Sequence, residues 1–576
     1  MTAIVQPRLS TLQEVQRLLR WSGLIALDLE TTGLDPQRDR IRLLSLSDGN
    51  RTIVLDCFEH DIRQVLPWLA GKYLVAHNAV FDLSFLWAAG LRELPETICT
   101  MLLSQLVWGI DTPKGFHSLG TTVLRELNQE LDKTLQTSDW SGPLTAEQIT
   151  YAGKDAQVLF PLLQALNAKI EAEGLARVAD IELRALRAFV WMRMSGVPFD
   201  REAWLQLAVS AETRAKDMES RLNAASPAKG PPGLFGTVDE WNWNSPQQVK
   251  EVFQRLGVEL DTTCDAQLAE LEHPVADLLR SHREAATKIK MFGRDWLQHL
   301  NSDGRVYPDW KQIGADSGRT SCRDPNMQQI PRDYDDAAKK APYRACVRPS
   351  VPERVLVKAD YATLQMRIAC KWAKDAALYK IFAADGDPHT ETAKTTLGKS
   401  QVTKHDRQIA KSQNFGLLFG MSAAGLRVYA KMTYGVSFSK EEAEKLRTAW
   451  LRAYPGIAAW HARTKKEHCR ETRCTSGRRR KLHPAAPDTF RLNSPVQGDE
   501  ADGLKLSLGL LWERRAECPS AVPILAVHDE IVLEVHRDNA EQAAVWLKEA
   551  MEDGMRPWLD PVPVRVDTSI LPTWGS

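Results

Sequence analysis

Residues 407–421 read RQIAKSQNFGLLFGM, and this stretch decides how the larger part of the chain is read. Arg407, Lys411, Phe415 and Phe419 recur every fourth residue, so a helix over Arg407–Met421 carries them as one slowly drifting stripe. Strands flank it at a distance. VLVKADY (355–361) is an apolar strand ending in Asp360. PILAVHDEIVLEV (523–535) is two apolar strands around a polar turn that holds Asp529 and Glu530. Neighbouring residues on a regular strand face opposite ways, so only a turn aims both acids at one centre.

The pattern changes towards the N-terminus. Leu24–Leu29 reads as a buried strand that ends in the turn-rich TTGLDP. IRLLSLSDG and RTIVLDC alternate around Asp48-Gly49-Asn50, which predicts a hairpin. YLVAH (73–77) is a further strand, followed by a helix through Ala89 that Gly90 terminates. Helical segments run to about Ile170, which makes the first third an α/β domain around a mixed sheet. A long helical stretch covers about Ile170–Met194, Pro and Gly cluster at Ser226–Gly236, and helices return from Ser245 to about His299.

The 576 residues suggest about three or four domains at ~100–200 residues each. Lys plus Arg total 74 and Asp plus Glu total 74, which excludes a basic tail protein or an acidic chaperone. A local patch remains compatible with nucleic acid. Residues 463–481 carry nine basic and two acidic residues, either a solvated face or a surface for phosphates. No apolar run approaches the ~18 residues of a membrane span. The opening residues lack the apolar core of a signal peptide, and the nine cysteines form no CxxC pair. A cytoplasmic protein with reduced thiols is expected.

Four acids gather meaning together. Asp28 and Glu30 are two apart on a strand and face one way; Asp82 lies beside an apolar helix; Tyr151 and Asp155 are four apart on a helix. Four anions share one site only if cations offset them, and all-oxygen ligands suit Mg²⁺ or Mn²⁺. Two such ions activate a water and stabilise a leaving oxygen in phosphodiester cleavage. DLETTGL, HNAVFD and YAGKD resemble the three motifs of the DEDD 3′–5′ exonucleases in their tyrosine variant. That resemblance implies a ribonuclease H-like mixed sheet over about residues 1–170. It also implies that Asp28, Glu30, Asp82 and Asp155 hold two metals while Tyr151 orients the attacking water.

The C-terminal stripe fits a nucleotide. Arg407 to Phe415 spans about 12 Å, roughly the reach from terminal phosphate to sugar in a nucleoside triphosphate. DYATLQMRIA, RQIAKSQNFGLLFGM and VHDE resemble motifs A, B and C of the family A DNA polymerases. NSPQQVKEVFQRLG, SGRTSCRDPNMQQIP, DPHTETA and NSPVQGDEAD agree with the same family. The resemblance covers about residues 171–576 and implies an α+β right-hand cleft. Its thumb would lie at about 245–345, its palm at about 346–384 and 491–576, and its fingers at about 385–490. By the same resemblance Asp360, Asp529 and the Tyr361 carbonyl hold two Mg²⁺ (or Mn²⁺), with Glu530 in support. Arg407, Lys411 and His389 would hold the triphosphate, Lys411 also donating the proton to pyrophosphate. Phe415 would pack on the sugar. Arg319, Asn493, Gln497 and His528 would touch the template–primer, and Arg478 and Arg479 would grip the DNA backbone.

Two positions depart from the family pattern. Gln365 stands where a glutamate usually blocks the ribose 2′-hydroxyl, and Phe419 where a tyrosine usually contacts it. Loss of both polar partners together leaves neither one stranded, and the near-equal size of Gln keeps steric exclusion of ribonucleotides. Phe415 in place of tyrosine implies poor use of dideoxynucleotides. The expected partners are primer–template DNA and dNTPs, with no membrane, a monomeric chain and no insertion for a processivity factor. No room is expected upstream of residue 24 for a 5′-nuclease domain.

Overall fold

The computed structural model describes residues 8–230, 240–331 and 342–575, so residues 231–236 of the Pro/Gly cluster lie outside the described residues. Five strands near the N-terminus form one mixed sheet. They are β1 (Leu24–Thr31), β2 (Ile41–Ser47), β3 (Thr52–Asp56), β4 (Tyr73–Ala76) and β5 (Glu96–Cys99), in the order β3-β2-β1-β4-β5. β2 and β3 form the hairpin that Asp48-Gly49-Asn50 predicts, while β1, β4 and β5 run parallel. The side chains of β2 are buried throughout, as a strand covered on both faces requires. α1 (Ala79–Ala88) leaves β4 and stops where Gly90 takes φ +118°. α2 (Ala146–Gln157) packs on β1 and β2 and is opened by a reciprocal cap between Thr145 and Gln148.

α3 (Ala176–Ser195) joins the two halves, packing on α1 on one side and on the C-terminal core on the other. Gly196 ends it at φ +63°, pressed against Tyr307. α4 (Arg201–Ala225), capped by the Asp200 side chain, and α5 (Pro274–Phe292) then lie side by side as a long pair. Sequence periodicity does not announce α4. Its buried positions are Trp204, Ala208, Ala211, Met218 and Leu222, and two of the five are alanines of low hydrophobic contrast. The tip of the pair has its own small core, in which Leu222, Trp243, Phe253, Leu268 and Leu279 meet.

The second sheet is wholly antiparallel: β6 (Arg354–Tyr361), β7 (Val522–Val527), β8 (Glu530–His536) and β9 (Val566–Leu571), ordered β7-β8-β6-β9. α6 (Leu364–Ala373) follows β6 directly. α7 (Lys404–Leu417) is opened by a reciprocal cap between Thr403 and Asp406. α8 (Asp488–Glu513) and α9 (Ala540–Leu559) pack against each other. The Tyr361 side chain points into this core, where its hydroxyl donates to the Met551 carbonyl and meets Ser507. The side chain of Asp360, next along the strand, therefore faces the opposite, open side of the sheet. One continuous core runs through both halves of the chain. No helix among the described residues is long and apolar enough to cross a membrane.

Candidate active sites

The N-terminal site is a cleft of about 790 Å³ at the end of β1. Asp28, Glu30, Asp82, Tyr151 and Asp155 all line it. Strand parity supplies the first two, the helical spacing of four supplies the last two, and α1 brings in Asp82. Asp28, Glu30 and Asp155 place carboxylate oxygens within 4.8 Å of one another. Asp82 sits slightly apart, accepting the Leu29 backbone N–H at 3.2 Å. Burial, then the charges of Asp155, Glu30 and Asp82, pushes Asp28 well above the usual carboxylate range. Burial and Asp155 push Glu30 up to about 8, and burial pushes Asp82 up to about 8. One oxygen of Asp155 is buried with no hydrogen-bond partner. Crowded carboxylates that are costly to ionise, with a lone pair left over, fit a divalent cation.

Lys133 enters the same cleft, although no motif or period in the sequence marks it. Its ammonium is hydrogen-bonded to Asp155 and lies 3.2 Å from the Tyr151 hydroxyl. It comes from the irregular segment before α2, where no periodicity points inward. Only the excess of acids in the cleft signals that a cation belongs there.

The C-terminal acids meet at one end of the second sheet. Asp360 lies directly opposite Glu530 in the β6–β8 ladder, so both face one side. β7 and β8 are joined by a two-residue turn in which His528 takes φ +58°. Asp529 sits in that turn, and its carbonyl accepts the Tyr361 N–H at 3.3 Å. The turn thus sets the Asp529 backbone against the end of β6, one residue from Asp360. Glu530 is held from behind by the Trp574 indole N–H and lies 3.7 Å from Arg344.

α7 presents the expected stripe. Arg407, Lys411 and Phe415 keep an open face while Ala410, Ser412, Gln413, Asn414 and Gly416 are buried. The stripe is shorter than the sequence implies. α7 ends at Leu417, where Gly420 turns back at φ +83° and donates to the Leu417 carbonyl, so Phe419 lies in the turn beyond the helix. Arg407 forms a two-pronged pair with Asp387, at 2.7 and 3.1 Å. His389 is 3 % exposed, and its ring lies 5.5 Å from that of Phe415. Trp450 donates to Asn414 Oδ1, which fixes the amide so that Asn414 Nδ2 donates to His389 Nδ1. The His389 proton therefore sits on Nε2. Burial holds the ring's pKa down at about 4, so it offers an N–H and no charge at neutral pH.

The expected DNA contacts divide. Asn493 and Gln497 share one face of α8 and remain partly open, and Arg319 lies beside that face. Arg478 and Arg479 are corrections. Arg478 is 6 % exposed and ion-paired to Glu182 and Asp502. Arg479 is bonded to Glu173 and the Val107 carbonyl. Arg478 is drawn inward by two buried carboxylates, while Arg479 is held by the half-exposed Glu173 and a backbone carbonyl, so both side chains are engaged within the protein. The Gln365 side chain donates to Glu500 at 2.9 Å, a contact its sequence neighbours do not signal.

Residues 216–576 match the family model for DNA polymerase family A, and residues 7–171 match that for a 3′–5′ exonuclease. The chain is 32 % identical over 594 residues to DNA polymerase I of Aquifex aeolicus, covering 98 % of each. It is 28 % identical to DNA polymerase I of Pseudomonas aeruginosa, covering 96 % of this chain and 64 % of that one. Its fold matches the POL domain of Pol1 from M. smegmatis, determined in complex with DNA primer-template and dNTP. The TM-score is 0.80 and the identity 22 %, over 99 % of each chain. The chain belongs to the family A DNA polymerases and carries a 3′–5′ exonuclease domain ahead of the polymerase domain.

Proposed function

We propose that the chain extends a primer 3′ end with dNTPs, directed by a DNA template, and removes misplaced nucleotides in its N-terminal cleft. One observation carries this most directly: one chain holds a cluster of carboxylates in its N-terminal cleft and, apart from it, Asp360 opposite Glu530 in a second sheet, followed by a helix that carries the Arg407–Lys411–Phe415 stripe. The exonuclease unit takes residues 1–170. The polymerase unit takes the remainder, with α4 added to the proposed thumb because it packs along α5.

Asp360, Asp529 and the Tyr361 carbonyl would hold two Mg²⁺ in the polymerase site, and Asp28, Glu30, Asp82 and Asp155 two in the exonuclease site. The donors are oxygens throughout, which suits Mg²⁺ and tolerates Mn²⁺. The bound ions supply Lewis acidity that lowers the pKa of the attacking hydroxyl or water and offsets charge on the leaving oxygen. Arg407 and Lys411 grip the triphosphate, and Lys411 delivers a proton to the departing pyrophosphate. His389 donates from Nε2, and Phe415 packs on the sugar. In the exonuclease cleft Tyr151 orients the attacking water. Asn493, Gln497, Arg319 and His528 line the proposed path of the primer–template.

A labelled primer on a longer template, with Mg²⁺ and with or without dNTPs, tests both halves. Growth is lost only in Asp360→Ala, and shortening without dNTPs only in Asp28→Ala. Shortening without growth under every condition would overturn the polymerase reading.

A further inference from the structure

Glu500 stands three residues beyond Gln497 on the face of α8 that also carries Asn493, a spacing that places all three on one stripe. Its carboxylate is buried, at 2 % exposure. Two partners reach it from outside α8. Arg319 Nη2 lies 2.7 and 2.9 Å from its two oxygens, and Gln365 Nε2 lies 2.9 Å from Oε2. Gln365 is on the first turn of α6, five residues after Asp360. One buried acid thus ties together three segments, one of which, α6, follows directly on the strand that carries Asp360. Beside it, Arg319 Nε and Asn493 Oδ1 are buried without a hydrogen-bond partner. A donor and an acceptor left unpaired here match a ligand with both kinds of group, as a nucleotide pair has.

We propose that Glu500 is a positioning residue that sets sugar selection by fixing Gln365 and Arg319, resting on the reading above that Gln365 borders the incoming sugar. A carboxylate facing a guanidinium only accepts hydrogen bonds, so the Gln365 amide must turn its nitrogen towards Glu500. That pins a long, flexible side chain in one place as a wall. The family pattern expects a carboxylate at 365. Here the charge sits at 500 instead, and a glutamate at 365 would set two carboxylates against one guanidinium. Gln365 and Glu500 are therefore a matched pair, with the one carboxylate on α8 and the amide on α6.

Single-nucleotide incorporation kinetics on the full chain test this, with dNTP and rNTP. The panel is wild type, Glu500→Ala, the isosteric Glu500→Gln, Gln365→Glu, and Gln365→Glu combined with Glu500→Ala. Both Glu500 variants are expected to lower the dNTP-over-rNTP ratio of kcat/KM by about tenfold, through a gain on the ribonucleotide. Gln365→Glu alone loses kcat/KM for both substrates, and the combined variant recovers the wild-type ratio. Melting temperature and exonuclease rate on single-stranded DNA report folding independently. Folded Glu500 variants that keep the wild-type ratio would overturn the proposal, as would additive effects in the combined variant. Wild type that incorporates neither substrate would instead overturn the polymerase reading on which the proposal stands.

Discussion

Glu30 and Asp82 show what a crowded carboxylate costs. Each is held near 8 in the metal-free protein, by burial above all and, for Glu30, by Asp155. A carboxyl whose folded value is raised favours the folded state most below its unfolded value of about 4.3, and that advantage is lost as pH rises through 8. A bound divalent cation must displace those protons. In an Asp360→Ala background, which weakens the polymerase centre, Mn²⁺ is therefore expected to raise the melting temperature more at pH 8 than at pH 6. Glu30→Gln should shrink the difference, and equal shifts at both pH values would show that these protons are not linked to metal. The four acids and Tyr151 were legible because strand parity and the helical spacing of four are local. Lys133 was not, because its place depends on how an irregular segment folds over the cleft. Glu500 shares the helical spacing of Asn493 and Gln497, which marks its face, but its partners Arg319 and Gln365 come from distant segments and leave no local sign.

Single elements correct the reading of the basic run at 463–481. Charge density leaves it a solvated face or a surface for phosphates, and the family resemblance implies that Arg478 and Arg479 grip DNA, but density does not say which way a side chain turns. Arg463, Lys465, Lys466, Arg470 and Lys481 are exposed, whereas Arg478 on the hairpin loop between residues 473 and 479 turns inward. It meets Glu182 of α3 and Asp502 of α8, and Lys505 joins them in a fully buried cluster. Burial pulls Lys505 down to about 8, against the attraction of Glu182. The Arg478 side chain also lies on Gly318, where an added Cβ would meet Nε at 2.5 Å and φ is +85°. The hairpin thus backs the turn that presents Arg319. Removing one member of a buried ion cluster leaves charge uncompensated, so Arg478→Met is expected to cost about 3–5 kcal/mol of stability. The slope of DNA affinity against salt should stay at its wild-type value. A slope reduced by about one would mean that Arg478 does contact phosphate, contrary to its placement.

Across the whole molecule, α3 and a continuous core tie the exonuclease unit to the polymerase unit. A second cleft, of about 520 Å³, lies between them; it shares Leu34, Asn78, Phe81 and Ile313 with the exonuclease cleft. Much of this architecture was readable from hydrophobic period and turn residues, which separate a mixed sheet from an antiparallel one. The packing of α4 along α5 and the seam between the units were not, because contacts between distant segments leave no local period. The shared core bears on editing. A paired end is held by stacking and hydrogen bonding in the polymerase cleft, while a mispaired end frays and presents single-stranded DNA. The exonuclease cleft, built on the same core, would then compete for that end. With dNTPs present, a terminal mismatch is therefore expected to be excised several-fold faster than a matched end. Asp28→Ala should abolish that excision while leaving extension of matched primers intact. Equal excision of matched and mismatched ends, measured on one template in single turnover, would show that fraying does not direct the choice between the two sites.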